Sequence, residues 1–495
     1  MMTDSRSKHS TEVSQKMRLR TVALEGFRYQ FYVRIVNIVL YQASALILAI
    51  LLLPHDFAVV GLAMIFVGFA LNVSDLGISP ALIQREESEL RGLDTGISLR
   101  FIFALALTAI LVALAPHIAD LYGEPSLMTI VWALSPLVLL NFLAFPARLA
   151  LTKTLRFRRI FLPDAIGSGA AAVASVAMAF SGFSYWSLIL GQVFGAAVGV
   201  ILLFRVSPWR PRWALERSDA AELMRFGLPL TVAGVLFFLF QNAGIAILAR
   251  ASLVDVGYFL FAYTWSVSVY LGLQASLDNV LFPVMSAMNK DVARLRKSFL
   301  AYLEYLSWAI VPLGAFVGAA APSFVLSLVG TKWSASVAIL QILAPAGVVM
   351  VLSLAYHSLA LALGRPKEIL YYNGVGVACL VPTAIIFVTL GGSVGLAWAF
   401  LVTAAALFGW AVWRCQALFI ARESEFLGIL IAPVGASLVF AVPLALVQPV
   451  LSGTVSTLVA ELLASIGVYC AAMILFTRKR FLADAAALLA SVLRG

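Results

Sequence analysis

Long apolar runs separated by short polar links are the feature that most constrains this chain. A membrane-spanning helix needs roughly 20 apolar residues to cross the hydrocarbon core of a bilayer. Hydrophobic residues make up 62% of the 495 residues and charged residues only 12%, which is far too apolar for a water-soluble domain. We therefore predict an all-α polytopic membrane protein with about 14 transmembrane helices, near residues 30–53, 57–78, 97–116, 127–149, 161–181, 184–204, 226–249, 256–277, 298–321, 336–362, 369–390, 393–413, 426–447 and 455–476.

Lysine and arginine are distributed unevenly over the links between these runs. With the N-terminus in the cytoplasm, 31 of the 34 positive residues fall on the cytoplasmic side, and Arg34, Arg250 and Lys332 are the exceptions. Such an excess is typical of cytoplasmic loops, so both termini are predicted to be cytoplasmic. The net charge of +10 then indicates topology rather than a nucleic-acid partner. We interpret Lys332 as a solvent-exposed loop residue, and Arg250 as an interfacial anchor or a partner of Asp255.

A short pattern at the end of the second span returns 203 residues later. Asp75 to Pro80 and Asp278 to Pro283 both read Asp, four residues, Pro, and each is predicted to close a span, the second and the eighth. Further proline-containing pairs follow in the same order, which indicates duplication of a six-span unit. A unit with an even number of spans repeats in parallel, and substrates lie between such halves. The pattern predicts a structural elbow or, alternatively, a substrate contact, formed by Asp75, Gly77, Pro80, Asp278 and Pro283.

The duplication divides the chain into six predicted regions. Each half would be a six-helix bundle, and the last two spans would lie outside the repeat. The boundaries are a cytoplasmic tail at 1–27, an N-lobe at 28–205, a basic cytoplasmic linker at 206–225, a C-lobe at 226–416, two extra transmembrane helices at 417–477 and a cytoplasmic tail at 478–495.

Several segments resemble the Wzx-type polysaccharide transporters of the multidrug/oligosaccharidyl-lipid/polysaccharide (MOP) flippase superfamily. They are SDLGISPALIQRE (74–86), VGYFLFAYTW (256–265), NVLFPVMSAMNKDVARLRKSF (279–299), GTKWSASVAILQILA (330–344) and LALGRPKE (361–368). The resemblance implies two parallel six-helix bundles around a central cavity, plus two C-terminal helices. It also implies flipping of an undecaprenyl-diphosphate-linked oligosaccharide across the bacterial inner membrane, for surface or extracellular polysaccharide.

Such a cargo requires a polar path through the membrane, because moving an unpaired hydroxyl into hydrocarbon costs about 2–7 kcal/mol. Polar residues do share helix faces in spans one and eight, and span seven adds two amides. The alternative is that they bond neighbouring helices together. The candidate substrate-binding residues are Arg34, Asn37, Tyr41, Gln241, Asn242, Tyr263, Ser266, Tyr270 and Gln274.

Two charged residues within spans have specific candidate roles. The guanidinium of Arg34 suits the oxygens of a diphosphate, although its side chain could instead reach back to the inner interface. Glu304 in span nine could bind H⁺ or Na⁺ and couple transport to an ion gradient, or it could neutralise a nearby arginine. No cofactor, disulfide or metal site is predicted, because the three cysteines and four histidines lack paired or ligand spacing.

The alternatives are a lipid II-type flippase, a drug/cation antiporter of the same superfamily, and an enzyme such as a glycan polymerase or ligase. The outer loops of about a dozen residues are too short for a catalytic domain, so an enzyme is not predicted. Cationic drugs favour buried carboxylates, whereas the clearest charge within a span is Arg34. The predicted partners are a polyprenyl-diphosphate-linked oligosaccharide, the lipid bilayer and the polysaccharide polymerase machinery.

Overall fold

The regular elements are helices throughout the described part of the chain. The structure is a computed structural model that describes residues 38–78, 82, 91–154, 156, 158–207, 213–288, 291–365, 367–418, 423–448 and 454–477. The helices are α1 (Ile38–Leu51), α2 (Pro54–Ser74), α3 (Arg91–Tyr122), α4 (Ser126–Leu134), α5 (Pro136–Lys153), α6 (Arg158–Phe180), α7 (Trp186–Val206), α8 (Arg217–Ala251), α9 (Leu253–Trp265), α10 (Val267–Ala287), α11 (Val292–Ala319), α12 (Ala321–Leu328), α13 (Ser336–Ala362), α14 (Lys367–Ala417), α15 (Glu423–Val447) and α16 (Val455–Thr477).

Twelve helical stretches among the described residues are long and apolar enough to cross a membrane, and α1 is a shorter apolar helix. The 51-residue helix α14 counts once, but Gly391 and Gly392 leave helical geometry within it. Gly392 has a φ of 54°, a conformation that glycine adopts with little strain. This break lies where the sequence predicts the link between spans 369–390 and 393–413. The all-α membrane architecture is confirmed, while a count of fourteen spans stays a prediction.

The helices form two halves with a cavity between them. Helices α1 to α7 build the first half and α8 to α14 the second, and α2 packs along both α8 and α9 across the junction. The last two helices, α15 and α16, pack against each other and against α11 and α12. This is the predicted arrangement of two bundles and two C-terminal helices. The boundaries assigned to the lobes, the linker and the tails stay predictions.

The predicted helix end at Asp75 and Gly77 is present. Helix α2 stops at Ser74, and Leu76 and Gly77 turn into the left-handed region with φ of 48° and 63°. Glycine is required here for a second reason, since a Cβ on Gly77 would lie 2.6 Å from the carbonyl oxygen of Gly227 in α8. The chain therefore turns where the two halves touch. The third member of this elbow, Pro80, lies outside the described residues.

The second predicted elbow is present only in part. The apolar stretch long enough to span a membrane, Leu253–Asp278, ends at Asp278 as predicted, but helix α10 continues through Pro283 and ends at Ala287. The break lies earlier, at Ser266, whose φ of −115° and ψ of −87° separate α9 from α10. The hydroxyl of Ser266 donates to the carbonyl of Ala262 at 2.6 Å, a bond to the residue four positions earlier that bends helices.

Candidate functional site

A cavity of about 620 Å³ lies between the two halves. Helices α1, α2, α6 and α7 form its wall on the side of the first half, and α9 and α10 form the opposite wall. Its surface is mostly apolar, with polar side chains from five of these helices. Those side chains are Tyr41, Gln42, Ser44, Ser168, Ser175, Gln192, Thr264 and Ser268.

Only one of the three predicted residues in span one can be placed. Arg34 and Asn37 lie outside the described residues. Tyr41 lines the cavity, and 59% of its surface is exposed. Its neighbour Gln42 donates from Nε2 to the carbonyl oxygen of Thr264 at 3.2 Å, which joins α1 to α9 across the cavity wall.

The polar stripe of span eight packs against helices of the second half. Ser266, Tyr270 and Gln274 are buried, and Tyr270 packs against Gly347 of α13. The hydroxyl of Tyr263 donates to Oε1 of Gln241 in α8 at 3.2 Å. These are the contacts of the alternative interpretation, in which polar residues join helices. A role for them in substrate contact stays a prediction.

Two further predicted residues also bond within the second half. Asn242 donates from Nδ2 to the carbonyl of Phe238 in its own helix at 2.9 Å. Asp278 accepts from the hydroxyls of Tyr302 and Ser358, at 2.6 Å and 2.7 Å, and so joins α10 to α11 and α13. The opposite face of α9 and α10, which carries Thr264 and Ser268, is the face that lines the cavity.

A second cavity, of about 510 Å³, lies inside the first half between α2, α5, α6 and α7. Its polar lining includes Asn141, Arg148, Asp164 and Gln192. Nη2 of Arg148 lies 2.7 Å from Oδ1 of Asp164, and the arginine is about half exposed. The two cavities share Ser168, Ala171 and Gln192, so they form one connected surface. We refer to both together as the transmembrane cavity.

A buried arginine stands behind the second cavity. Arg100 is only 5% exposed, and its Nη1 lies 3.0 Å from Oδ1 of Asp75. Its Nη2 donates to Oδ1 of Asn141 at 3.0 Å, and its guanidinium lies 4.0 Å from the ring centroid of Phe145. In the sequence, Arg100 is one of the 31 positive residues on the predicted cytoplasmic side. Asn141 connects this ion pair to the cavity, because it bonds Arg100 and also lines the cavity wall.

Glu304, the predicted coupling residue, lies away from the transmembrane cavity. It lines a separate cavity of about 500 Å³ between α11, α15 and α16, together with Trp308, Glu425 and Phe476. Glu425 there pairs with Arg296 at 2.5 Å. A role for Glu304 in ion coupling stays a prediction.

Contacts between the two halves close one end of the molecule. The predicted topology places this end on the outer side of the membrane, and we call it the outer end. Lys332 donates from Nζ to the carbonyls of Ile50 and Leu52, at 2.7 Å and 2.8 Å. Trp333 is fully buried and donates from Nε1 to the carbonyl of Ala49 at 2.9 Å. We call these contacts the outer gate. Lys332 is therefore not a simple solvent contact, and its burial lowers its pKa while the nearby Asp56 carboxylate partly offsets this.

Arg250 closes the same end at a second place. Its Nη1 donates to the carbonyl of Leu121, at the end of α3, at 2.9 Å. Both outer cations thus meet the carbonyl ends of helices in the first half, where the helix dipole favours positive charge. The two alternatives for Arg250, interfacial anchoring and pairing with Asp255, both stay predictions.

The sequence profile of the polysaccharide biosynthesis protein family matches residues 47–338. The chain belongs to this family. The match covers most of the first half and continues through the outer gate into α13.

Two relatives are similar to this chain over most of its length. The lipopolysaccharide biosynthesis protein WzxC of Escherichia coli (strain K12) is 25% identical over 399 residues, covering 78% of this chain and 79% of the relative. The succinoglycan biosynthesis transport protein ExoT of Rhizobium meliloti (strain 1021) is 24% identical over 397 residues, covering 78% of this chain and 80% of the relative.

Two solved structures show the fold of this family member. The lipid II flippase MurJ in an inward closed conformation aligns with a TM-score of 0.72 at 15% identity, covering 91% of this chain and 98% of that one. An inward-facing multidrug resistance MATE family transporter of the MOP superfamily aligns with a TM-score of 0.62 at 18% identity, covering 79% and 99%. The chain thus has the fold of MOP superfamily transporters.

Proposed function

We propose that this polysaccharide biosynthesis family protein flips undecaprenyl-diphosphate-linked oligosaccharide repeat units across the bacterial inner membrane, for surface or extracellular polysaccharide. The observation that carries the proposal is the transmembrane cavity, which brings polar side chains into a membrane-type fold and runs from between the halves into the first half. The polysaccharide-related names of WzxC and ExoT support this class of cargo.

The lining of the cavity suits a glycan attached to a diphosphate. Amide, hydroxyl and carboxylate groups of Asn141, Asp164, Ser168 and Gln192 can replace the water that sugar hydroxyls lose on entering the membrane. Arg148 lies among them, and guanidinium groups bind phosphate oxygens through paired N–H donors. The lipid tail would remain in the bilayer while only the polar head enters the protein.

Movement of the cargo would follow alternating access. With the outer gate closed, the two halves meet at the outer end through Lys332, Trp333 and Arg250. Release to the outer side requires these bonds to break and the halves to rock apart, as in transporters built from repeats. The outer aromatic side chains Phe57 and Phe261, which contact Trp333, also line the cavity and would separate with it.

Three further parts of the proposal concern the cellular setting. The protein would be a transporter rather than an enzyme, would lie with both termini in the cytoplasm, and would hand its cargo to the polysaccharide polymerase machinery. An H⁺ or Na⁺ gradient would drive the cycle. A drug/cation antiporter is less well supported, because Asp164, the acidic residue lining the described transmembrane cavity, is paired with Arg148.

Deletion of the gene tests the proposed function. We expect loss of the surface or extracellular polysaccharide and accumulation of polyprenyl-diphosphate-linked repeat units, because assembled units cannot reach the outer leaflet. The measurement combines polymer staining with mass spectrometry of extracted lipid-linked glycans. Expression of the full chain should restore both. Unchanged polymer with no accumulated intermediate would contradict the proposal.

Replacement of Arg34 with alanine tests the predicted diphosphate contact. We expect loss of polymer with normal protein in the membrane, and partial recovery in Arg34→Lys, since a lysine keeps the charge without the paired donors. Polymer yield normalised to protein level is the readout. Arg294→Ala is the matched control, because Arg294 is 77% exposed and bonds Asp291 one turn away. A wild-type polymer yield in the Arg34→Ala variant would contradict the predicted contact between Arg34 and the diphosphate.

A further inference from the structure

The transmembrane cavity has a charged inner part and a neutral part between the two halves. The charged side chains of its described lining, Arg148 and Asp164, belong to the second cavity and lie 2.7 Å apart. The first cavity is lined by amide, hydroxyl, aromatic and apolar side chains, and we call it the neutral compartment. It extends along α6 as far as Ser175, which is about 16 Å from Asp164 at 1.5 Å per residue.

The neutrality of this compartment is a property of the helices that form its walls. Four stretches of these helices contain no aspartate, glutamate, lysine, arginine or histidine. They are 38–54, 57–74, 165–204 and 256–277. A change of side-chain rotamer within these stretches therefore brings no charge to the surface. Arg34 precedes α1 on its inner side and is the residue predicted to contact the diphosphate.

The groups on the walls are those that bind uncharged sugars. The ring of Tyr41 is exposed, and Trp265 at the end of α9 is held by an edge-to-face contact with Phe324 in α12, with 4.9 Å between the ring centroids. Aromatic rings of this kind can pack against the apolar faces of sugar rings. The amides of Gln42 and Gln192 can bond sugar hydroxyls and acetamido groups. A mostly apolar pocket with a few polar groups binds and orients a small ligand in the same way.

An acidic sugar would fit this compartment poorly. A carboxylate that leaves water must be paired with a positive charge, because hydrogen bonds from neutral groups compensate only part of its lost hydration. The guanidinium of the described lining is at the other end of the cavity, where Arg148 already pairs with Asp164. In the proposed cycle Arg148 also binds the diphosphate, so a second anionic group on the same cargo would compete for it.

We propose that the glycan carried by this protein is uncharged. Its repeat unit consists of neutral sugars, such as hexoses, deoxyhexoses and N-acetylhexosamines, and contains no uronic acid or other acidic group. The neutral compartment holds the sugars, the inner part of the cavity holds the diphosphate, and Gln192 borders both. This inference rests on the proposed flippase function and narrows its cargo.

The lipid-linked intermediate that accumulates on gene deletion tests the inference in the native cell. We expect mass spectrometry to assign its glycan to neutral sugars alone. An acidic group in the repeat unit would overturn the inference and leave the flippase function standing. A deletion strain with normal polymer and no accumulated intermediate would instead contradict the flippase function, and the inference would then be judged by binding.

Binding to the purified full chain compares two probes that differ in one group. Both are farnesyl diphosphates that carry a disaccharide, either glucosyl-N-acetylglucosamine or glucuronosyl-N-acetylglucosamine, so a carboxylate replaces one hydroxymethyl group. In calorimetric titrations in phosphatidylcholine nanodiscs, we expect the neutral probe to bind about tenfold more tightly, which corresponds to about 1.4 kcal/mol. Equal affinity, or tighter binding of the acidic probe, would overturn the inference. Farnesyl diphosphate without sugar should bind more weakly than the neutral probe, and equal binding of these two would show that the compartment does not contact the sugars.

A single added charge should change this preference. Ser268 lines the neutral compartment from α10 and is partly exposed. Ser268→Lys should raise the affinity for the acidic probe about tenfold, because it supplies the missing charge partner. Ser268→Gln is the matched control, since it adds a long polar side chain without charge, and it should keep the preference for the neutral probe. The same shift in both variants would contradict the role given to charge.

A variant at the inner part of the cavity separates the sugars from the diphosphate. Arg148→Ala should weaken the binding of both probes by the same factor, because both carry the diphosphate. A larger loss for the acidic probe would show that Arg148 pairs with acidic sugars and would overturn the inference. The comparison of the two probes on the unmodified chain stands even if a variant does not fold.

Discussion

Arg148→Ala is expected to reduce polymer yield about fivefold, because removal of a charge that is about half exposed to solvent costs about 1 kcal/mol. Arg148 is a positive side chain lining the second cavity and lies beside Asp164. Without it, the Asp164 carboxylate gives the cavity a net negative charge that repels a diphosphate. The measurement is polymer yield per unit of membrane-inserted protein, together with the amount of accumulated lipid-linked intermediate.

Two further variants separate binding from structure. Arg148→Ala with Asp164→Asn removes both charges and should recover part of the activity, since the repulsion disappears. The exchange Arg148→Asp with Asp164→Arg restores an ion pair and should restore stability more than transport. Equal transport in the single and double variants would contradict the role given to Arg148. Arg294→Ala again serves as the control for loss of an arginine outside the cavity.

Arg100→Leu is expected to lower the free energy of unfolding by about 3–5 kcal/mol, the cost of leaving one partner of a buried ion pair uncompensated. Arg100 is 5% exposed, and its removal takes away the ion pair with Asp75, whose side chain is 29% exposed. Because Asn141 also loses a donor, part of the effect would reach the cavity wall. Thermal unfolding of the purified protein in detergent, followed by tryptophan fluorescence, measures the loss.

The matching double variant makes this prediction specific. Asp75→Asn combined with Arg100→Leu leaves no buried charge and should recover much of the loss, because replacing both members of a buried pair is often neutral. Losses that simply add would show that the two residues do not act as a pair. Asp278, the corresponding carboxylate of the second half, bonds hydroxyls instead, so Asp278→Asn should be milder than Asp75→Asn.

The sequence predicted the helices well because membrane spans are determined by their own composition and length. The Ser181-Gly182-Phe183 and Gly391-Gly392 breaks both fall where the apolar runs are interrupted, and in each a glycine adopts positive φ. At the second elbow the apolar span ends at Asp278 as predicted, but the helix continues past Pro283. Proline is tolerated inside membrane helices whose neighbours satisfy the backbone, so the pattern that ends α2 does not end α10.

The site was harder to predict, because a periodic pattern shows which residues share a face but not what that face contacts. The stripe from Tyr263 to Gln274 is a polar face, yet it meets α8 and α13 rather than the cavity. One feature of the sequence could have indicated the second cavity. Arg148 and Asp164 have opposite charges and lie 16 residues apart on consecutive helices joined by a short inner link, so they can form an ion pair. The bonds of Lys332 and Arg250 to carbonyls leave no trace in the sequence.

Those bonds have an evolutionary consequence. Lys332, Trp333 and Arg250 bind main-chain oxygens, which every residue type provides, so these bonds do not depend on which side chains the tips of α1 and α3 carry. Mutational drift at Ile50 and Leu121, whose side chains are about half exposed, can therefore proceed without a compensating change on the opposite half. Chimaeras that exchange these helix tips between distant homologues should still form the outer gate.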